Sequence, residues 1–333
     1  MPDNENGMRL HIDQESGVPK FQQLIDTVID AVSRGDLIPG NILPSVNQIF
    51  QNPGLARGTI VKALDELKRR GIIESVPNKG YFIASNKRRV LLLLDTLRPF
   101  KQVIYDGLRK GLPDNVEVNM FFHHYNIRLM EEILLGASGK YSAYIVMGYN
   151  HPEIPRILEK LDPNKVIVFD WMDQDWGDYS HVVQEFEKSF YDRMVEAMPL
   201  LKKYESLVFV CPESANHPPE AQSAFSRFCE DHKMKGLIRD HLAKDIKGKA
   251  FLVVDDKHLI ELVTMARKSK LKAGKDLGII SFNDYPMKEV LEGGISVISP
   301  SFDEMTSQIA QSLNNRKKLR SLVLPKLILR NSL

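Results

Sequence analysis

Arg57, Thr59 and Lys62 stand within two turns of one another in the stretch LARGTIVKAL, residues 55–64. A planar guanidinium can fork onto a phosphate or a guanine edge, and a threonine is short enough to bring its N–H and hydroxyl to one phosphate together. A lysine one turn further on adds a second cation. A different chemistry closes the apolar runs further along. Asp95 ends one run, Asp170 and Trp171 another, Asp255 and Asp256 a third, and Asn283, Asp284 and Tyr285 a fourth. Carboxylates and amides exchange hydrogen bonds with vicinal hydroxyls while an aromatic face covers the apolar side of a sugar ring, so this set suits a polyhydroxy ligand. Phe100 is placed with it.

The charge distribution separates the two sets. The 333 residues carry 45 Lys and Arg against 43 Asp and Glu, a net of +2 that by itself implies no acidic partner. Residues 1–49 have a net charge of −4 and residues 50–89 one of +6, which leaves the remaining 244 residues neutral. An acidic partner would dock on the forty-residue basic stretch. Cys211 and Cys229 have no second pair and no histidine at metal-ligand spacing, so neither a disulfide nor a metal site is expected. His123 and His124, neighbours on an extended run, would point to opposite faces. No apolar run approaches the roughly 18 residues of a membrane span, and the polar, acidic beginning MPDNENGMRLHIDQES does not read as a signal peptide. A cytoplasmic protein without a membrane partner is the expectation.

The elements that must position the first set follow from periodicity. Phe21, Leu24, Ile25, Val28, Ile29 and Val32 line one face of an amphipathic helix that Gly35 stops. Ser45 and Gln48 have the spacing of a capping box and open a short second helix. A third helix turns Ile60, Ala63, Leu64 and Leu67 inward and leaves Arg57, Thr59 and Lys62 near its exposed beginning. IIESVPNKGYFI then reads as a β-hairpin turning through residues 77–80. Three helices and a hairpin describe a winged helix-turn-helix over residues 18–85, after a polar segment of residues 1–17. In that arrangement the third helix enters the major groove N-terminus first, a helix about 10–12 Å across fitting a groove about 12 Å wide. Ser45, Asn47, Arg57, Thr59, Lys62, Lys79 and Gly80 are the candidate DNA contacts, the last two at the hairpin tip where a glycine permits close approach.

Residues 86–89 read as a solvated basic linker. From 90 to 333 apolar runs alternate with amphipathic helices, which means βαβ units, an α/β class and parallel doubly wound sheets. Ligands bind such sheets at the C-terminal strand ends where the strand order switches. Asp95, Phe100, Asp170, Trp171, Asp256, Asp284 and Tyr285 are the candidate effector contacts. Several ionised carboxylates in one cleft would repel a phosphate, so a neutral monosaccharide is expected, with Arg98 and Arg128 as the residues that would favour a sugar phosphate instead.

PKFQQL, RGDLIPGNILPSVNQI, GLARGTIVKALDELKRRGII and NKGYFI resemble, in order and without gaps, the GntR-type winged-helix signature over roughly residues 18–84. Asn47 stands where that family usually has a charged residue, often a DNA-contacting arginine, and Ala56 replaces the usual serine, removing a helix cap worth about 1 kcal/mol. The second half resembles LacI-type regulators and periplasmic sugar-binding proteins over roughly 89–333. The resemblance is carried by VVDDKHLIELVTMARKSKLKAGKDLGIISFNDYP and the ending LVLPKLILRNS. It implies two lobes around a hinge and puts Asp256 and Asp284 at positions that often contact sugar. VVQEF at 182–186 and PESANHP at 212–218 depart from it.

Together these readings predict a ligand-responsive transcription regulator, most simply a repressor. It would be a homodimer presenting two winged helices to a pseudo-palindromic operator in double-stranded DNA. A DNA-binding scaffold without a small-molecule effector is the alternative. An enzyme is not expected. GASGK at 136–140 lacks the first glycine and the Ser or Thr of a P-loop, Leu134 and Tyr141 standing in those places, and no dinucleotide, serine-hydrolase or zinc-protease motif is present. No cofactor is implied.

Overall fold

The apolar face read along residues 21–32 is the inner face of α1 (Lys20–Arg34), where Leu24, Ile25, Val28 and Ala31 are buried. The computed structural model describes residues 12–51, 54–76, 79–84, 88–138, 140–171, 176–315 and 317–333, Trp171 by its backbone alone. Gly35, at φ 81°, ends α1 in the left-handed conformation, its N–H returning to the Val32 carbonyl. α2 (Val46–Phe50) opens on the capping box. Gln48 N–H donates to Ser45 Oγ at 3.3 Å, and Ser45 N–H donates to Gln48 Oε1 at 2.7 Å. α3 (Arg57–Arg69) buries Ile60, Ala63, Leu64 and Leu67, and Ala56 offers it no side-chain cap. The hairpin β1 (Ile73–Val76) and β2 (Gly80–Ile83) pairs Ile73 with Ile83, and both join the three helices in one core.

The chain divides into two compact units, residues 1–88 and 89–333. Arg88 and Arg89 open β3 (Arg88–Leu94) rather than forming a linker, and Lys87 lies outside the described residues. β3 is followed by α4 (Pro99–Gly111), β4 (Val116–Phe122), α5 (Ile127–Ala137), β5 (Ala143–Met147), α6 (Ile154–Leu158), β6 (Val166–Trp171) and β7 (Ser180–Gln184). Next come α7 (Lys188–Leu201), β8 (Ser206–Val210), α8 (Pro219–Asp231), β9 (Gly236–Arg239), β10 (Lys249–Val253), α9 (Asp256–Lys268), β11 (Gly278–Phe282), α10 (Pro286–Val290) and β12 (Ser296–Ser299). α11 (Phe302–Asn315), β13 (Arg320–Leu322) and β14 (Lys326–Ile328) complete the order.

These strands form two six-stranded sheets, β13-β7-β6-β5-β3-β4 and β14-β12-β11-β10-β8-β9. In the first, β3, β5, β6, β7 and β13 run parallel; in the second, β14 alone runs antiparallel, against β12. The central strands are apolar because both faces are covered, as in the wholly buried β5, β8 and β11. α7 packs on the second sheet through Phe190 and Met194, whereas α11 packs on the first through Phe302, Met305 and Ile309. The chain therefore crosses between the lobes three times, at 185–187, 300–301 and 323–325. α4 and α11 approach so closely that a Cβ on Gly107 would stand 2.3 Å from Thr306 Oγ1.

Candidate nucleic-acid interface and effector cleft

The cations of α3 (Arg57–Arg69) differ in how they are partnered. Arg69 and Arg70 both pair with Glu66, at 2.6 and 2.7 Å, and hold its carboxyl down at about 2. Arg57 and Lys62 are exposed and have no carboxylate partner among the described residues. Aromatic rings orient them instead: the Arg57 guanidinium lies 5.0 Å from the Phe50 ring centroid and Lys62 Nζ 4.5 Å from that of Phe21. With no side chain capping α3, its first N–H groups and the half-buried Thr59 stand open beside Arg57, the arrangement that receives a phosphate. Asn47 is exposed on α2, and Lys79 and Gly80 are exposed at the hairpin, Gly80 at φ 100°. Ser45 is exposed too, but its oxygen is taken by the capping box.

In the second unit a cleft of about 720 Å³, open to solvent, runs between the lobes and is lined by all three crossings, through Glu185, Phe186, Pro300 and Pro325. In each sheet the strand order reverses beside a strand that feeds the cleft. β3 and β5 end at Asp95 and at Met147 and Gly148, and β8 leads to residues 215–218. Tyr125, Asp170, Asn216 and Asn283 all line it with left-handed backbones, at φ 56°, 79°, 46° and 62°. Four strained non-glycine residues around one cavity are held there by the surrounding fold, a pattern that clusters at functional sites.

Its charged groups are mostly matched inside the protein. Lys101, 1% exposed, sets Nζ 2.8 Å from Asp95 Oδ1, and Asp95 also accepts from Tyr125 Oη at 2.6 Å and from the Thr96 N–H at 2.6 Å. Burial pushes the Asp95 carboxyl up, but these three donors outweigh it and leave the pKa lowered. Asp170 has no cation within salt-bridge distance among the described residues; burial raises its pKa even though Gln184 Nε2 donates to it at 2.6 Å. The half-buried His217 is driven down to about 3 by burial and the nearby Arg98 charge, and its Nε2 is buried with no hydrogen-bond partner among the described residues.

Of the expected effector contacts, Asp95, Phe100 and Asp170 line the cleft, and the side chain of Trp171 lies outside the described residues. Asp256, Asp284 and Tyr285 lie outside its lining, each engaged by other groups of the protein. Asp284 is clamped by Arg330, whose Nη1 and Nη2 reach its two oxygens at 2.9 and 2.7 Å. Asp256 lies 3.3 Å from the buried Lys288 and accepts from Tyr285, whose ring packs against the core of the first lobe. The neighbouring Asn283 takes the place in the cleft. Lys288, donating to the carbonyls of Phe282 and Asn283 at 2.7 and 2.9 Å, fixes that turn. Lys101, Gln184, Asn216 and His217 also line the cleft and were not singled out in the sequence, whereas Asn283 was named there with the strand-end set. Arg98 lines the cleft and Arg128 does not. β4 ends at Phe122, so His123 and His124 sit in a turn rather than on an extended run; His123 is buried, its Nε2 3.1 Å from the Met147 carbonyl. Both cysteines are free and buried, and no group of three or more potential ligands that could hold a metal occurs among the described residues. Nor is any helix among them long and apolar enough to cross a membrane.

A helix-turn-helix unit with cations at the mouth of its third helix, together with a two-lobed unit hinged around a cleft, defines a ligand-binding gene regulator. Residues 20–83 match the model of the bacterial regulatory proteins, gntR family, and residues 200–333 that of a periplasmic binding protein-like domain. The HTH-type transcriptional repressor YtrA of Bacillus subtilis is 32% identical over 110 residues, 31% of this chain and 82% of that protein. The arabinose metabolism transcriptional repressor of Geobacillus stearothermophilus is 20% identical across 96% of this chain and 99% of its own length. A LacI family transcriptional regulator from Lactobacillus casei, solved with bound sucrose, shares the fold of the second unit: TM-score 0.62, 14% identity, 74% of this chain and 100% of that one. This chain belongs to the gntR family of bacterial regulatory proteins and is a DNA-binding transcription regulator.

Proposed function

We propose that the protein is a repressor that releases its operator when a small carbohydrate enters the cleft, and that it acts as a homodimer on a two-fold DNA site. The cleft carries this reading, because every crossing between the lobes contributes to its lining. A ligand seated there contacts the hinge itself, so its binding energy shifts the balance between lobe arrangements. Sugar-named relatives support the ligand class: an arabinose repressor is similar over nearly the whole chain, and a sucrose complex shares the fold. On the DNA side, Arg57, Thr59, Lys62 and the open beginning of α3 face the major groove, with Asn47, Lys79 and Gly80 on the flanking backbone and Ser45 holding α2 in place. Asp95, Phe100 and Asp170 are the effector contacts kept from the sequence reading. The expectation of a neutral sugar rested on several unmatched carboxylates, whereas Asp95 has its own cation and Glu185 accepts from N–H groups at the start of α7.

The test uses duplexes selected from a random library by the full chain. Arg57→Ala should weaken binding at moderate salt and reduce the slope of log affinity against log salt by about 0.9, the loss of one phosphate contact. Unchanged affinity and slope remove α3 from the interface. A sugar that binds the protein without altering its operator affinity favours the scaffold reading over the repressor.

A further inference from the structure

Most polar groups facing the cleft are committed to one another. Asp95 is taken by Lys101, Tyr125 and Thr96, Gln184 donates to Asp170, and Glu185 accepts from the N–H groups of Lys188 and Ser189 at 2.6 Å each. Arg98 differs. Half-buried, it donates through Nε to Thr96 Oγ1 at 3.3 Å and through Nη2 to the Ala215 carbonyl at 3.2 Å. Both are long contacts to neutral oxygens, and no carboxylate pairs with Arg98 among the described residues. Ala215 is followed by Asn216 and His217, which also line the cleft, and the His217 Nε2 is buried with no hydrogen-bond partner among the described residues.

A guanidinium in this state has donors to spare and a charge with no carboxylate at salt-bridge distance among the described residues. A ligand hydroxyl would accept one hydrogen bond and leave the charge unmatched. A carboxylate would accept the fork bidentately, with the shorter, charge-assisted bonds that neutral oxygens do not supply. A phosphate dianion fits less well, because it would bring two charges to one free cation with the Asp95 and Glu185 carboxylates in the same cleft.

We propose that the effector is a sugar acid, an aldonate or uronate, whose carboxylate is held by Arg98 with His217 and Asn216 as further donors. Its hydroxyls then face Asp170 and Asn283, and its apolar edge meets Phe190 and Phe282. This rests on the carbohydrate reading of the cleft and specifies its charge. It also gives Arg98 a part in the switch: a carboxylate competes for the Nη2 that now reaches from the first lobe to a carbonyl of the second.

The experiment is calorimetric titration and thermal shift of the full chain, at constant ionic strength, with matched pairs: glucose with glucuronate and gluconate, galactose with galacturonate, mannose with mannuronate, arabinose with arabinonate. One acid should bind about tenfold or more tightly than its neutral partner. Arg98→Gln should remove about that factor while changing the neutral partner's affinity less than about threefold, and Arg98→Lys, which keeps the charge without the fork, should fall between. A neutral sugar that binds as tightly as its acid overturns the inference and leaves the carbohydrate reading standing, as does an acid that binds Arg98→Gln and the parent alike. If no member of either set binds, the carbohydrate reading fails and the sugar acid with it.

Discussion

Lys101 is a demanding test of how the cleft is built. Its side chain is 1% exposed, that of Asp95 is 12% exposed, and Nζ is the cation within salt-bridge distance of that carboxylate. Lys101→Met keeps an unbranched stem and removes the charge. Breaking a buried pair by deleting one partner costs about 3–5 kcal/mol, because the survivor is left charged in a medium that solvates it poorly. Tyr125 and Thr96 still donate to Asp95, which puts the loss at the lower end, about 3 kcal/mol. The pH dependence makes the argument sharper. In the parent, burial raises the Asp95 carboxyl but the three donors hold its folded pKa below the unfolded value, so its contribution is present above about pH 4 and is lost as pH falls through the folded value. Without Lys101, burial prevails and the folded pKa rises above the unfolded one, so the sign reverses and acid relieves the variant. The gap between parent and variant is therefore widest at about pH 7 and narrows toward about pH 5. Urea unfolding followed by circular dichroism at both pH values measures it, and the double variant with Asp95→Asn should recover much of the loss. A gap below about 1 kcal/mol at neutral pH, or one equally wide in acid, would refute the reasoning.

Three further substitutions probe the packing and the surroundings of the cleft. Gly107→Ala places a methyl against Thr306, whose hydroxyl is fixed on the Phe302 carbonyl at 2.8 Å, so it should destabilise by about 1–3 kcal/mol despite alanine's helix propensity. Gly136→Ala, on α5 with open space around it, should instead gain up to about 1 kcal/mol, and equal melting shifts for the two would discredit the close α4–α11 contact. Asp284→Ala strips Arg330 of its bidentate partner and should cost about 1–3 kcal/mol of stability while leaving effector affinity intact; a variant as stable as the parent that no longer binds effector returns Asp284 to the site.

The DNA-binding unit was legible because its signals are local. The 3.6-residue repeat of Leu24, Ile25 and Val28, the Ser45–Gln48 box and the hairpin of residues 73–83 each span a few residues, and the structure contains all three. The sheets were legible in outline for the same reason, since buried runs such as 90–95 and 277–284 declare themselves. β9, β13 and β14 carry no such run: they are short edge strands with exposed positions, and their pairing decides them. The strand-end rule located Asp95 and Asp170 in the cleft but could not choose between Asn283 and Asp284. That choice depends on Arg330, 46 residues away in the chain.

The sequence by itself determined which elements form, where the positive charge collects, and that a sheet with functional strand ends follows a winged helix, because periodicity, capping and charge are properties of neighbouring residues. Only the tertiary structure decided which charged groups face a ligand and which are spent within the protein. An ion pair such as Asp95 with Lys101 or Asp284 with Arg330 is a fact about distance across the fold, and the same residue types in the same order are equally compatible with a carboxylate left free.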